Sequence, residues 1–245
     1  VAEPRAEVKM GTKRYRQMCA VAAALDIVGE RWTLLIIRDL LTGPKRYNQL
    51  LGETLVGIGP NLLASRLQML TDEGLIEREP VPGDGRGVEY RLTESGEALR
   101  PVILGLASWG LSHITTYEPA DRVRAEWGVV AVEAMVAAGP APEVDEAYEF
   151  HIGNEVFSVS CENGTAGVVE GSAPREPALI VDSDPETFIR TGTGQVSPLD
   201  AVLSGKMSIS GDSMALARCL RLLGLSLQSG GDEPPAGEGL VGAVS

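Results

Sequence analysis

Histidine and cysteine are scarce in this chain, and so are aromatic residues. Two histidines, His113 and His151, and three cysteines, Cys19, Cys161 and Cys219, stand among 245 residues, of which 4% are aromatic. The cysteines are far apart, odd in number and without the paired spacing of a zinc site, so no metal centre is expected. His151 has no plausible partners for a triad, and no glycine-rich phosphate loop is present. The chain therefore reads as a protein without catalytic residues or cofactor, and not as an enzyme. No stretch approaches the roughly 18 uninterrupted apolar residues of a membrane span. The basic residues near the N-terminus have no apolar segment behind them, so neither a membrane partner nor a signal peptide is expected. Free thiols then suit a cytoplasmic protein.

Positive charge is scarce in the second half. The formal net charge is −13. Residues 1–118 carry 14 Lys and Arg against 15 Asp and Glu, whereas residues 119–245 carry 7 against 19. Such an imbalance suggests two modules with different partners. The first half is near neutral, with a basic cluster at Lys13, Arg14 and Arg16. That cluster reads either as a DNA-contacting arm or as a disordered tail, and residues 1–17 are set apart as an N-terminal arm.

The first half has a recognisable order. Cys19 to Val28 repeats apolar residues at helical spacing, and Trp32 to Leu41 is a dense apolar run ending at Gly43-Pro44. Arg46 to Leu51 reads as a short third helix. Pro60 suits the first turn of a fourth, in which Leu63, Leu67 and Leu70 share one side and Asn61, Ser65, Gln68 and Asp72 another. The strands "LIEREPV" and "VEYRL" flank a glycine-rich tip at residues 82–87. Thr93 is a plausible cap for a long helix from Glu94 to Thr116. Helix, helix, short helix, helix, hairpin, long helix is the order of a winged helix-turn-helix with a dimerisation helix. In that arrangement Asn61, Ser65 and Gln68 face the major groove, where Asn and Gln pair with adenine and Ser serves either partner. Lys45 and Arg46, on the preceding helix, and Arg86, at the wing tip, supply phosphate contacts. The alternative is an ordinary solvated helix face. Arg66, on the leucine side, is expected to pair with a carboxylate such as Glu73 or Asp39.

The stretches "CAVAAALDIVGERWTLLIIRDLLTGPKRYNQLL", "GIGPNLLASRLQMLTDEGLIERE" and "YRLTESGEALRPVILGLASWG" resemble the HxlR-type transcriptional regulators, winged-helix proteins related in shape to the MarR group. The resemblance runs from Met18 to Gly110. It implies a homodimer that binds a roughly palindromic operator in double-stranded DNA, over a domain spanning 18–118. One departure is Gly59, where a hydroxyl cap is usual before Pro60. Some regulators of this kind sense oxidants or electrophiles with a cysteine at the position of Cys19. Here Cys19 begins the first helix, where a helix dipole lowers a thiol pKa. The alternative is a small buried packing residue.

The second half changes period. A helix over Ala120 to Ala138 precedes strands that meet across Gly153-Asn154 and Asn163-Gly164, two-residue hairpin signatures. "PALIVDS" extends an antiparallel meander of at least four strands, and His151 is placed on a strand facing solvent. Helices capped by Asp184 and by Ser197 come next, then "KMSISGD" as a short strand and a final amphipathic helix from Asp212 to Gly224. The fold class is α+β, a winged helix-turn-helix domain followed by a domain with an antiparallel sheet and segregated helices. "DPETFIRTGTGQVSPLDAVLSGKMSISGD" resembles the sterol carrier protein 2-like domains, placing such a domain at 119–225 before a disordered tail at 226–245. The resemblance implies a cavity for an apolar small-molecule effector, with Trp127, Phe157, Val159, Phe188, Leu203 and Met207 as its expected wall. The alternatives are a plain core, and a domain that only enlarges the dimer interface.

Overall fold

The structure is a computed structural model that describes residues 14–81, 83–84, 87–114 and 123–227. Two compact units divide between Ile103 and Leu104. The boundary expected at Glu118-Pro119 lies outside the described residues, as do Lys13, Arg86 and the tail from residue 228. Among the described residues no helix is long and apolar enough to cross a membrane.

The first unit begins with helices α1 (Ala20–Val28) and α2 (Thr33–Leu41). Ile36, Ile37 and Leu40 of α2 are buried, as the density of its apolar run requires. The next segment departs from the expected third helix. Lys45–Arg46 form a two-residue strand, β1, and Tyr47–Gln49 a single helical turn, α3, which widens into a π-helix over Leu50–Thr54. The wider turn, closed by Leu55 N–H donating to the Leu50 carbonyl at 2.9 Å, turns both leucines inward. The fourth helix, α4 (Pro60–Asp72), buries Leu63, Leu67 and Leu70.

Strands β2 (Ile76–Pro80) and β3 (Val88–Leu92) form the wing, and β1 pairs with β3 on its other side. Thr93 caps α5 (Glu94–Glu97): its hydroxyl accepts from Gly96 N–H and donates to the Gly74 carbonyl. Gly96 is required there, since a Cβ would sit 2.1 Å from the Leu75 carbonyl oxygen. The helix expected to run on from Glu94 breaks instead, and α6 covers Arg100–Leu111. Pro101 offers no N–H to the preceding turn, and the break falls at Ala98 and Leu99, just before α6 begins.

The second unit begins within α6, at Leu104, and continues with α7 (Ala125–Ala138) and strands β4 (Glu146–Ile152), β5 (Glu155–Glu162), β6 (Thr165–Glu170) and β7 (Leu179–Ser183). Helices α8 (Pro185–Gly192) and α9 (Pro198–Leu203), strand β8 (Met207–Gly211) and helix α10 (Ser213–Leu222) complete it. The sheet order is β6-β5-β4-β7-β8. Both hairpin turns fall at the expected dipeptides, and Asn163 and Gly164 both take positive φ, as a type I′ turn demands. The expected antiparallel meander is corrected at one pairing. β7 runs parallel to β4, because the connection from Gly171 to Ala178 carries the chain back past both β5 and β4. Asp184 and Ser197 cap α8 and α9 as expected, and Asp212, expected inside the last helix, is the cap of α10.

One sheet face carries Tyr148, Phe150 and Ile152 into the core, where Phe150 stacks on Phe157 at 5.1 Å and Phe188 meets both edge-on. On the other face His151 is not simply solvated. Its ring nitrogens bond Glu149 at 2.7 Å and Asp182 at 2.9 Å, and the two carboxylates, Glu149 first, hold its pKa above the usual imidazole value.

Candidate functional site

The polar side of α4 is set by the same periodicity that buries its leucines. Asn61, Ser65, Gln68 and Asp72 recur at spacings of three and four, and all are exposed. The start of the helix is anchored by the Tyr47 hydroxyl, which donates to the Pro60 carbonyl at 2.8 Å. Gly59 caps it without a side-chain hydrogen bond, so no capping side chain occupies the first-turn amides. At the far end Gln68 Nε2 donates to Asp72 Oδ1 at 2.9 Å.

The expected phosphate-contacting residues sit differently from the sequence reading. Lys45 and Arg46 lie on β1 and not on a helix, because their backbone pairs with Tyr90 and Glu89 of β3. Lys45 Nζ donates to the Thr42 carbonyl, and the Arg46 guanidinium pairs with Asp84 at 3.0 Å. Arg66 pairs with Glu30 at 2.8 Å, and neither Glu73 nor Asp39 is its partner in that bridge. Asp39 is buried beside Arg38. Arg14 pairs with Asp26 at 3.6 Å, tying the start of the described chain to α1. Arg46 and Arg66 are thus already matched with carboxylates, and a phosphate has to displace Asp84 to gain Arg46.

Cys19 is exposed and forms the N-cap of α1. The Ala22 and Val21 amides at the helix start hold its thiol pKa below the ordinary value. The alternative of a buried packing residue does not fit this position. Cys161 and Cys219 are buried, and burial pushes both thiols up, Cys161 to about 11.

In the second unit a cavity of about 70 Å³ lies among α7, α8, α10 and the inner sheet face. Gly128, Ala131, Val132 and Met135 of α7 form one wall, and Leu216, Cys219 and Leu220 of α10 another. Gly128 allows the close approach, since a Cβ there would meet the Phe188 ring at 3.2 Å. The lining is apolar, and the Thr191 hydroxyl is spent on the Thr187 carbonyl at 2.8 Å. Of the residues expected in the wall, Phe188 and Met207 line the cavity. Trp127, Phe157, Val159 and Leu203 do not: Phe157 and Val159 are sealed in the core, and Leu203 is 76% exposed at the end of α9. The α10 wall was missed, although Leu216, Cys219, Leu220 and Leu223 recur at helical spacing and offered a signal.

Two family models match the chain, one in each half. The model of the HxlR-like helix-turn-helix family matches residues 27–118, and that of the SCP-2 sterol transfer family matches residues 138–223. An HTH-type transcriptional regulator of Mycobacterium tuberculosis is 46% identical over 91 residues, covering 37% of this chain and 56% of its own length. The HTH-type transcriptional regulator YodB of Bacillus subtilis is 36% identical over 107 residues, covering 43% of this chain and 92% of YodB. The solved structure of reduced YodB is 36% identical with a TM-score of 0.35, covering 43% of this chain and 100% of that one. The chain thus spans only about half the length of the first curated relatives it matches, 56%.

Proposed function

Because the chain belongs to the HxlR-like helix-turn-helix family, we propose that it is a cytoplasmic, DNA-binding transcriptional regulator and not an enzyme, acting as a homodimer on a roughly palindromic operator. The observation that carries this reading is α4, whose buried leucines fix Asn61, Ser65 and Gln68 on an exposed face beside a winged sheet. Those side chains read base edges, while Lys45, Arg46 and Arg86 contribute phosphate contacts. Dimerisation is supported by apolar side chains that one chain leaves exposed: Val21 and Leu25 on α1, and Val102, Leu106 and Trp109 on α6. The test is Gln68→Ala. It is expected to lower operator affinity by about 1–3 kcal/mol and relax base preference in a salt-controlled binding assay. Unchanged affinity and preference would remove α4 from the groove.

The second unit, in this reading, binds an apolar small-molecule effector that shifts the dimer between geometries of different operator affinity. Its cavity, at about 70 Å³, is smaller than the roughly 150 Å³ that holds benzene in an engineered core. The effector is therefore compact, or the helices part to admit it. Apolar compounds that bind are expected to raise the melting temperature of this unit by mass action. The absence of any such shift across a hydrophobic library would favour the rival reading, a constitutive regulator whose second unit is structural.

A second reading, redox control through Cys19, is favoured by one observation: this thiol is exposed and acidified by helix amides, while the other two are buried. Quinone or peroxide then releases DNA from the wild type, and Cys19→Ser abolishes that release. A Cys19→Ser protein that still responds would end this reading.

A further inference from the structure

Resting on the reading that α4 enters the major groove, we propose that Asp72 is the residue that decides what Gln68 reads. It fixes the amide so that Gln68 selects a base with an exocyclic amine, adenine or cytosine, and rejects guanine. A glutamine amide is nearly symmetric in shape, and a half-turn about its last torsion exchanges acceptor for donor. An unrestrained glutamine in the groove therefore has two options. It pairs with adenine, accepting from N6 and donating to N7, or it donates to the O6 and N7 acceptors of guanine.

Gln68 is not unrestrained. Its Nε2 donates to Asp72 Oδ1 at 2.9 Å, and the i,i+4 spacing keeps the two side chains on one face of the helix. An ionised carboxylate only accepts. The exchanged orientation would set Oε1 against Oδ1 with no proton between them. The amide is thereby polarised in one sense, with one N–H committed and Oε1 left as the acceptor. Adenine N6 and cytosine N4 satisfy that oxygen; the acceptor edge of guanine does not. Among the described residues no Lys or Arg pairs with Asp72, so its carboxylate also stands against the guanine edge and against phosphate. Asp72 therefore trades affinity for discrimination, and a merely structural residue would not move the two in opposite directions.

The experiment is selection from a randomised double-stranded DNA pool by the full chain, using wild type, Asp72→Ala, Asp72→Asn and Gln68→Ala. Asp72 is exposed at the end of α4, and asparagine there both donates and accepts, so it permits either orientation. Wild type is expected to enrich adenine or cytosine at one position in each half-site, with guanine depleted. Both Asp72 variants are expected to restore guanine at that position by roughly 10-fold, to leave every other position unchanged and to bind no more weakly. Gln68→Ala loses preference at the same position. If the Asp72 variants enrich the same sequences as wild type with guanine still excluded, the role of Asp72 is overturned while DNA reading by α4 stands. If wild type enriches no sequence, both are overturned.

Discussion

Arg218→Ala is expected to cost the second unit about 3–5 kcal/mol and to lower its melting temperature by more than roughly 10 °C. Arg218 projects from α10 and forks onto Glu146 of β4, Nε to Oε1 and Nη2 to Oε2, both at 2.6 Å. The Tyr148 hydroxyl donates to the same Oε1 at 2.5 Å. Glu146 is buried, as is Tyr148. A planar fork that satisfies both carboxylate oxygens is the strongest form of such a pair. Removing the arginine leaves a buried anion with a single phenol donor, and that residual charge, more than the lost attraction, sets the cost. Replacing both partners, Arg218→Met with Glu146→Leu, is expected to cost far less, because no charge is left buried.

The pH dependence of this pair has a definite sign. Arg218 first, then Tyr148, hold the Glu146 carboxyl below the usual carboxylate range against the opposing effect of burial. The unfolded chain takes up the proton near pH 4.3, before the folded protein does. The stabilisation is therefore complete above that pH and is lost as pH falls through the lower folded value. Calorimetry of wild type and Arg218→Ala is expected to show the gap between them widest at neutral pH and narrowing in acid. A gap that is flat with pH would mean that lost packing of the arginine stem, and not its charge, destabilises the variant.

What the sequence made legible was local. The leucine face of α4, the dipeptide turns of the second sheet and the caps at Thr93, Asp184 and Ser197 each depend on residues within one turn or one hairpin. The misplacements are non-local. Lys45 and Arg46 become a strand only because Tyr90 and Glu89 come to lie beside them. Arg66 finds Glu30, 36 residues away in sequence, which no helical wheel contains. The parallel β4–β7 pairing depends on where a connection crosses, which alternation cannot report. Pro101 is visible in the sequence as a break in the long helix, but the apolar period continues through it.

The cavity was the least legible feature, for a different reason. α7 is apolar around most of its circumference, so periodicity names no single face. Trp127, the bulkiest residue of that helix, is the obvious candidate by size, yet Gly128, Ala131, Val132 and Met135 form the wall. Small side chains make a cavity by what they leave unfilled, whereas Phe157 and Val159 fill their part of the core. Leu203 is suggested by residue type alone, although the buried residues of α9 are Pro198 and Ala201.

The consequence of facing is sharpest between neighbours on α4. Leu67 is 1% exposed and Gln68 is exposed. Leu67→Ala is expected to destabilise the first unit by about 2–5 kcal/mol, the loss of a buried side chain together with the cavity left behind. Gln68→Ala should stay within about 0.5 kcal/mol of wild type in stability, since it gives up only a surface bond to Asp72. Both variants bind operator more weakly, and for different reasons. The Leu67→Ala deficit follows the folded fraction, so a stabilising osmolyte such as trimethylamine oxide restores it. The Gln68→Ala deficit is a missing contact in a folded protein, and no osmolyte recovers it. Urea melts and DNA titrations, each with and without osmolyte, separate the two. If osmolyte rescued Gln68→Ala as fully as Leu67→Ala, Gln68 would be a packing residue and the reading face of α4 would have to lie elsewhere.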